Sequence, residues 1–406
     1  MGAINLDNTG SGGAITLSSD GTSLLLGGSA VGGGGADLYA ANESSPAAQP
    51  SATGTNAIAI GDQAVSSGTD SFAIGTDTDS TGTGSLAVGK GAQATANYNL
   101  AIGLNASASA ERAIAIGNNG VVAGSTYSTA IGHNSGFGGS TTATGSGAMA
   151  LGGSYASGAD SFAAAIDNNT ASYGATGANS VAIGYLAKAT GAKSVAISSN
   201  TYSGSATASG GGGVAIGDGP TASGIGSTAI GRGCTASATN AIAIGRDTQA
   251  TNEAAVAIGY RAYSDVKGGI AFAGAGYFGS AQGDAQGRMY ILRVQTTDAT
   301  ATELGESSAR IKVPTNGAVV FDGLITGLES GVNSYAGWKI EGMIVNDAGT
   351  TTLVNSAITV IHNTPSWGLA LTADNTNNRL AITVTGEASH NIRWVANIRT
   401  VETIYA

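Results

Sequence analysis

Large apolar residues return along this chain in a fixed pattern, as two residues that flank an alanine and precede a glycine. The pattern first occurs as Ile58-Ala59-Ile60-Gly61 and returns every fourteen residues at Gly75, Gly89, Gly103 and Gly117. Apolar residues at alternate positions predict a β-strand, and a fixed period predicts stacked repeats that cover one another's cores. The sequence therefore predicts an all-β rod built from stacked coils.

The period slips after Gly117 and then resumes. Further copies end at Gly184, Gly217, Gly231, Gly245 and Gly259, and degenerate copies end at Gly132, Gly152, Asp167, Ser198 and Gly274. These copies make about fifteen coils, which at about 4.8 Å between adjacent strands would form a rod roughly 70 Å long. Each motif glycine is expected at a left-handed or closely packed turn position, where a Cβ would clash.

Alternation along each strand divides its side chains between two faces. The residues three and one before the glycine, such as Ile58 and Ile60, share a face that we predict to line the inside of the coil. The alanine between them, such as Ala59, occurs in fourteen of fifteen copies, Phe272 being the exception. Since solubility alone would favour Ser, Thr or Lys on the opposite face, these alanines predict close contact with another chain.

The N-terminal residues depart from this period. In residues 1–27, Asp20-Gly21 stands between two β-prone runs and predicts a hairpin, which we assign to attachment to a larger assembly. Residues 28–56 are rich in Gly, Ala, Ser and Pro, a composition typical of a flexible linker. The repeat region is assigned to residues 57–283.

The last part of the chain, residues 284–406, has a different composition. All three tryptophans, Trp338, Trp367 and Trp394, lie here, and the fourteen-residue period is absent. Strands are predicted at residues 289–295, 318–325, 337–345, 351–361, 369–373, 379–385 and 391–400. Short strands separated by turn residues predict a β-sandwich, most simply a jelly roll, with Trp338 and Trp394 in its core.

Composition excludes several functional classes. The net charge of −10, with only 16 Lys and Arg residues, leaves no basic stripe, so no nucleic-acid partner is expected. A single cysteine, Cys234, excludes a disulfide framework. No apolar run approaches the roughly eighteen residues of a membrane helix, and the residues after Met1 do not resemble a secretory signal. Neither a membrane span nor a signal peptide is expected.

Carboxylates are the best enzymatic candidates in the repeat region. Two of Asp70, Asp77 and Asp79 could hydrolyse a glycosidic bond if their carboxyl groups lay about 5–9 Å apart. Asp also favours turns because its side chain bonds the local backbone, which is the simpler explanation. A sugar-cleaving enzyme would further need aromatic platforms, and only scattered tyrosines are present, namely Tyr98, Tyr127 and Tyr155.

Metal sites are not expected either. His133, His362 and His390 lack metal-ligand spacing. Oxygen atoms of Asp374, Asn375, Asn377 and Asn378 could bind calcium, but a polar hairpin turn explains them more simply. We predict no catalytic residue, no metal and no cofactor, and hence a protein that is not an enzyme.

Recognition is expected in exposed loops carried by a rigid scaffold. The C-terminal domain offers such loops, and Trp367, which follows Pro365-Ser366, could act as a recognition anchor. The predicted receptor-contact residues are Asn333, Tyr335, Asn346, Asp347, Asn363, Trp367, Asp374 and Asn377.

Three copies of the repeat resemble a known family. Asn56-Ala57-Ile58-Ala59-Ile60-Gly61, Ser180-Val181-Ala182-Ile183-Gly184-Tyr185 and Asn240-Ala241-Ile242-Ala243-Ile244-Gly245 are similar to the head repeat of trimeric autotransporter adhesins, the YadA-like family. The resemblance implies a left-handed parallel β-roll and a homotrimer with its chains side by side. Because a signal peptide, a heptad stalk and a C-terminal membrane anchor are not recognised, autotransport is not expected.

The C-terminal segment resembles another group. Ala336-Gly337-Trp338-Lys339-Ile340-Glu341-Gly342, Trp367-Gly368-Leu369-Ala370-Leu371 and Asn391-Ile392-Arg393-Trp394-Val395-Ala396 are similar to a domain that ends many tail-fibre and virion structural proteins, notably of marine phages. The resemblance implies a virion protein that is synthesised in the host cytoplasm. Its location would be the tail or the capsid exterior.

Together the two resemblances imply a trimeric phage tail fibre that binds the host surface without catalysis. Its expected partners are a tail or capsid docking protein, bound through residues 1–27, and a host receptor that is a glycan or an outer-membrane component. The alternatives are a capsid decoration or head fibre with a structural role, a bacterial trimeric adhesin lacking its anchor, and a tailspike-type glycan hydrolase.

Overall fold

A computed structural model describes most of the chain. The described residues are 4–6, 15–19, 24–26, 29–31, 49–133, 140–164, 173–199, 204–274, 282–306, 308–331, 334–363 and 367–405. They form strands and turns, and none of them lies in a helix. The chain divides into two compact units, Met1–Ala171 and Ser172–Ala406.

Four short strands near the N-terminus pair antiparallel in chain order. They are Ile4–Leu6, Ile15–Ser19, Leu24–Leu26 and Ser29–Val31. Ser19 lies opposite Leu24, as the predicted hairpin requires, although Asp20-Gly21 itself lies outside the described residues. The attachment role of residues 1–27 stays a prediction.

Each coil contributes one long and one short strand, and each kind pairs in parallel with its counterpart in the adjacent coil. In the first unit the long strands are Ile58–Ile60, Phe72–Ile74, Leu86–Val88, Leu100–Ile102, Ile114–Asn118, Thr129–His133, Met149–Leu151 and Phe162–Ala164. Its short strands are Ser51–Ala52, Val65–Ser66, Asp79–Ser80, Gln93–Ala94, Ser107–Ala108, Val122–Ala123, Thr142–Ala143 and Tyr155–Ala156.

The second unit repeats the arrangement. Its long strands are Val181–Ile183, Val195–Ser198, Val214–Asp218, Thr228–Arg232, Ile242–Arg246, Val256–Tyr260 and Ile270–Ala273. Its short strands are Gly174–Ala175, Lys188–Ala189, Thr207–Ala208, Thr221–Ala222, Thr235–Ala236, Gln249–Ala250 and Tyr263–Ser264. The described residues thus contain eight coils in one unit and seven in the other, which confirms the predicted parallel β-solenoid of about fifteen turns.

The last copy of the repeat is shifted by one residue from its predicted register. Ala273, and not Gly274, lies opposite Gly259 in the parallel pairing. The alanine position of this copy is therefore held by Ala271, and Phe272 takes the position of the second large residue. The last copy is therefore no exception, because it also has an alanine between its two large apolar residues.

Two boundaries also differ from the prediction. The copy assigned to Ile166-Asp167 has its strand earlier, at Phe162–Ala164, and the predicted residues lie outside the described range. Ser51–Ala52 pairs with Val65–Ser66 as a short strand of the roll. The roll therefore begins before residue 57, inside the segment predicted as linker.

The inside of the coils is filled by small side chains, so the predicted orientation of the strands is wrong. Ala73 is fully buried, whereas Phe72 and Ile74 on either side of it are 39% and 37% exposed. The short strand that closes the same coil also presents a small buried residue inward, Ser80. Because both walls of the interior are packed mainly with Ala and Ser, it has no room for the large apolar side chains of the long strands, which point outward.

Motif glycines allow adjacent coils to approach closely. At Gly75 the backbone is left-handed, with φ +137°, and a Cβ there would lie 2.7 Å from the carbonyl oxygen of Gly89 in the next coil. Any side chain would therefore meet both backbone strain and a steric clash. Buried hydroxyls are hydrogen-bonded to each other in two pairs, Ser66 with Ser71 and Ser80 with Ser85, whose Oγ atoms are 2.6 and 2.7 Å apart.

Within the described residues, nine strands follow the roll in the second unit, and the seven predicted strands are all among them. They are β1 (Ala285–Thr296), β2 (Thr302–Glu303), β3 (Ile311–Lys312), β4 (Gly317–Glu329), β5 (Tyr335–Asp347), β6 (Thr350–Asn363), β7 (Gly368–Asp374), β8 (Arg379–Thr385) and β9 (Ile392–Ile404). The larger sheet has the antiparallel order β1-β9-β4-β5-β6. In the smaller sheet, β8 pairs with β7 on one side and with β2 and β3 on the other.

The two sheets share one apolar core. Trp338 and Trp394 of the larger sheet are fully buried with ring centroids 5.8 Å apart, and they belong to the same cluster as Leu380 and Ile382 of the smaller sheet. This confirms a two-sheet fold with these tryptophans inside. The larger sheet also continues the roll, because β1 pairs antiparallel with the last long strand.

Candidate functional site

Each unit carries a column of large apolar side chains on the outer side of its long strands. We call this column the aliphatic face and define it by the residues three and one before the motif glycine. Its exposed members are Phe72, Ile74, Ile131 and Met149 in the first unit, and Ile183, Ile244, Ile258 and Phe272 in the second. An exposed apolar surface of this extent marks a place where another molecule packs.

In the second unit the aliphatic face extends onto the larger sheet. Ile270 of the last coil lies opposite Met289 of β1, and the outward positions of β1, β4 and β9 carry exposed Ile291, Leu324 and Val395. Alternation explains the pattern, since the residues between them point into the core. The outer surface of the larger sheet therefore carries apolar side chains beyond the coils, interspersed with polar ones such as Asn397 and Arg399.

The predicted receptor-contact residues separate into two groups at opposite ends of the larger sheet. Asn346 and Asp347 end β5, and Asp374 and Asn377 flank the turn between β7 and β8. Asp347 is exposed, but Asn346 is buried, where its Nδ2 donates to the carbonyl of Val313 at 3.1 Å. Asn346 thus fixes a turn and is not available to a receptor.

Asp374 is likewise engaged by its own turn. Its carboxylate lies 2.7 Å from Arg379 Nε and accepts a hydrogen bond of 2.8 Å from Asn377 Nδ2. The hydrogen bonds of Asn377 and the charge of Arg379 hold the pKa of Asp374 below its usual range. The backbone N–H of Thr351 donates to the side-chain oxygen of Asn375, and the hydroxyl of Thr351 donates to that of Asn378. These contacts support a polar turn, the simpler of the two explanations considered for this segment.

Tyr335, Asn363 and Trp367 lie at the opposite end, and Asn333 falls outside the described residues. Tyr335 is exposed and stacks on His362 with centroids 4.9 Å apart. Trp367 is only 4% exposed, and its ring packs against Trp394. Its backbone N–H donates to Asn363 Oδ1, and its carbonyl accepts from Asn363 Nδ2. Trp367 is therefore a core residue, and the structure does not support it as a recognition anchor.

A group of charged residues, several of them buried, joins the last coil to the C-terminal sheets. Arg288 of β1, 4% exposed, lies 2.9 Å from Asp265 Oδ1 and 3.0 Å from Glu402 Oε2, and the Glu402 side chain is fully buried. Lys312 Nζ is 2.9 Å from the other oxygen of Asp265, and the hydroxyl of Tyr290 donates to Glu402 at 3.3 Å. We call these five residues the junction cluster.

Neighbouring charges and burial act together on the pKa values in the junction cluster. Burial alone would raise the pKa of Asp265, but Arg288 and Lys312 outweigh it and leave the pKa below its usual range. Burial and the charge of Glu402 raise the pKa of Tyr290, so its hydroxyl stays a donor. Nothing in the sequence indicated this cluster, because its residues are of ordinary types and lie far apart along the chain.

A cleft of about 260 Å³ adjoins the junction cluster. Asp265, Arg288 and Lys312 line it together with Asn377 and Asn378. The charged side chains that line the cleft are already paired with one another. The junction cluster therefore favours a structural role, in which it connects the coils to the C-terminal sheets.

The remaining enzymatic candidates occupy structural positions. Asp70 and Asp77 have left-handed backbones, with φ 55° and 54°, which Asp tolerates in turns, and Asp79 lies in a short strand. His390 Nδ1 is 3.3 Å from Glu387. Across the described residues no group of three or more His, Cys, Asp or Glu side chains is placed to hold a metal ion.

A family model matches the coils. The YadA head domain repeat (2 copies) matches residues 52–78, 80–98, 100–119, 175–197, 208–233 and 236–262. These segments lie in both units, and they confirm the resemblance of the coils to YadA-like head repeats. No curated protein matches the chain. Among the described residues, no helix has the length and hydropathy needed to cross a membrane.

Solved structures similar to this chain include two phage tailspikes. Tailspike protein gp49 of Acinetobacter baumannii bacteriophage Fri1, a capsular polysaccharide depolymerase, is 12% identical, with a TM-score of 0.22 over 84% of this chain and 61% of that one. The tailspike protein of Acinetobacter baumannii phage AM24 is 8% identical, with a TM-score of 0.22 over 86% of this chain and 68% of that one. The chain thus spans less than two thirds of the Fri1 protein.

This comparison corrects one prediction. The chain was predicted not to be an enzyme, and the similar structures include a polysaccharide depolymerase, so that prediction is withdrawn. At a TM-score of 0.22 the likeness assigns no activity to this chain.

Proposed function

We propose that the chain forms a homotrimeric fibre of a bacteriophage virion, most simply a tail fibre, that binds the surface of a host cell. The observation that carries the proposal is the aliphatic face. In a single chain, residues such as Phe72, Ile74 and Phe272 stay more than one third exposed because the coil interior is filled mainly by small side chains. Packing of three chains through these faces would remove the apolar surface from water.

Three chains side by side are what YadA-like head repeats imply, and the match to that repeat in both units supports this number. Closed rotational symmetry uses one surface on every chain and stops at a defined size. The alanines predicted to contact another chain are buried inside the coils, whereas the large residues on either side of them are exposed. The proposal therefore assigns the contact between chains to the large residues.

A trimer presents three copies of any recognition site at one time. Weak sites on the same particle then act together, because the first contact raises the effective concentration of the others. Among the predicted receptor contacts, Tyr335, Asp347 and Asn377 are exposed and stay candidates. The receptor would be a host glycan or an outer-membrane component.

The virion assignment is supported by the C-terminal segment, which resembles domains of tail-fibre and virion structural proteins. Residues 1–27 would bind the docking protein of the tail or capsid. A capsid decoration fibre is the second candidate, because the same trimer would suit a structural role on the capsid. A bacterial adhesin is the third, because its coils would resemble the same head repeat.

Immunogold electron microscopy on lysate of the source culture tests the assignment, with an antibody raised against residues 284–406. Gold at the free ends of tail appendages is expected. Gold scattered over capsids would contradict the tail-fibre assignment and support a capsid decoration fibre. Gold on intact cells alone would support a bacterial adhesin.

A further inference from the structure

Two tyrosines and one arginine form an exposed ladder at one corner of three consecutive coils in the first unit. Tyr98, Arg112 and Tyr127 occupy this corner, where the backbone N–H of Arg112 donates to Asn97 and that of Tyr127 donates to Glu111 in the preceding coil. The guanidinium carbon of Arg112 lies 5.5 Å from the ring centroid of Tyr98 and 5.4 Å from that of Tyr127. We call these three residues the tyrosine ladder.

The backbone of the tyrosine ladder is left-handed at every step. The φ angles of Tyr98, Arg112 and Tyr127 are 59°, 57° and 61°. The same corner carries Asn56 and Asp70 in earlier coils, and these residue types adopt this conformation readily. A bulky side chain is disfavoured there, so turn formation does not explain two tyrosines and an arginine in succession. A single long side chain also occupies this conformation at Lys193, so the distinguishing feature of the ladder is three large side chains in succession that contact one another.

The rings of the ladder are held in place and yet stay exposed, 55% for Tyr98 and 56% for Tyr127. Arg112 lies between them, and its Nη1 donates to the hydroxyl of Tyr127 at 2.7 Å and contacts Glu111 Oε1 at 3.1 Å. Gly84 lies beside Tyr98, and a Cβ there would come within 3.1 Å of the ring. A ligand would therefore meet rings that are already ordered, which lowers the entropy lost on binding.

The chemistry of this strip fits a saccharide. The apolar C–H face of a sugar ring stacks on an aromatic ring, while the sugar hydroxyls bond to the guanidinium and carboxylate between the rings. The two tyrosines stand two coils apart, about 10 Å at the spacing of adjacent strands, which is comparable to the length of two linked sugars. Tyrosine suits such contacts because it offers a large amphipathic surface with few rotatable bonds.

The charges around the tyrosine ladder indicate whether its ligand would be a neutral or an anionic glycan. Glu111 pairs with Arg112, and Asp70 and Asp160 occupy the same corner two coils before and two coils after the ladder. The neighbourhood is therefore negative, and a polyanionic glycan would be repelled. We infer that the tyrosine ladder is a binding site for a neutral glycan of the host surface, an inference that rests on the proposed fibre function and names its ligand class.

The test uses the full chain and the double variant Tyr98→Asn/Tyr127→Asn. Asn suits a left-handed corner, so the variant should keep its fold by circular dichroism. Lys193→Asn is the matched control, because Lys193 has the same left-handed conformation (φ 59°) in a coil of the second unit. The probes are immobilised neutral hexasaccharides of glucose, galactose and mannose, with a hexasaccharide of alternating glucuronate as the anionic comparison.

The full chain should bind at least one neutral hexasaccharide, and the double variant should bind it at least about tenfold more weakly. The Lys193→Asn control should bind as the parent does. Absence of neutral binding, binding of the glucuronate probe alone, or unchanged affinity in the double variant would overturn the inference. A change in sedimentation mass of the variant would also overturn it, by showing that the ladder contacts another copy of the chain.

Cell adhesion separates this inference from the fibre proposal. If the parent chain and the double variant adhere equally to host cells, the ladder is not the host-binding site although the fibre proposal stands. If the parent binds a neutral glycan through the ladder but does not adhere to host cells, the fibre proposal fails and the glycan site stands.

Discussion

The junction cluster should dominate the stability of the C-terminal sheets, and Arg288→Met tests this. Met keeps most of the side-chain volume but removes the charge that lies 3.0 Å from Glu402 and 2.9 Å from Asp265. Because Glu402 is fully buried, it would be left without its cationic partner. Breaking a buried ion pair from one side costs about 3–5 kcal/mol.

The loss of stability in the C-terminal sheets can be measured specifically, because all three tryptophans lie in this part of the chain. Urea unfolding followed by tryptophan fluorescence should show a loss of about 3–5 kcal/mol for Arg288→Met. Arg293→Met is the matched control on the same strand. Its side chain is 77% exposed and lies 3.8 Å from Glu306, so its loss should stay below about 1 kcal/mol.

A double variant checks the mechanism. In Arg288→Met/Glu402→Gln the buried negative charge is removed as well, while a carbonyl oxygen remains to accept from Tyr290. The double variant should therefore be clearly more stable than the sum of the two single losses predicts. Equal losses for Arg288→Met and Arg293→Met, or losses that simply add in the double variant, would refute the reasoning.

Three further predictions concern single positions. Ala101→Leu overfills a coil interior and should destabilise the first unit by at least about 1–3 kcal/mol in unfolding followed by circular dichroism, whereas Leu100→Ile on the outer face should cost under about 1.5 kcal/mol; equal effects would contradict the inward orientation of alanine. Gly75→Ala should cost more than about 1 kcal/mol because of its φ of +137° and the backbone oxygen 2.7 Å from a new Cβ, while Gly124→Ala, with no atom closer than 3.6 Å, should be tolerated. Cationic neighbours outweigh burial and lower the pKa of Asp265 in the folded chain from 3.8. The contribution of Asp265 to stability is therefore complete above pH 3.8 and is lost as the pH falls through the pKa of the folded state. Asp265→Asn should remove this part of the acid dependence of stability, and an unchanged pH profile would contradict the prediction.

The fourteen-residue period was enough to predict the strands, their stacking and the number of coils. It could not tell inside from outside, because alternation shows which residues share a face and not which face is buried. The usual preference for large apolar residues in a core then gave the wrong answer at Phe72, Ala73 and Ile74. The deciding factor is the narrow interior of a coil whose opposite wall is also built from small residues.

The candidate sites were harder to predict than the fold. Asn346 and Asp374 were both predicted to contact a receptor, and only the structure shows that their side chains are occupied by local bonds. Tyr98 and Tyr127 looked scattered in the sequence. They meet across Arg112 because the coils place them at one corner, which the period could have indicated had each coil been aligned by its corner residue.

The most direct test of the central claim is the mass of the intact chain in solution, measured by sedimentation equilibrium. A trimer of a 39.2 kDa chain should give about 118 kDa. The variant Ile244→Asp/Ile258→Asp, which places charges on the aliphatic face, should dissociate toward 39.2 kDa while keeping its β-sheet circular dichroism. A parent chain that sediments as a stable monomer, or a variant that remains trimeric, would contradict the account.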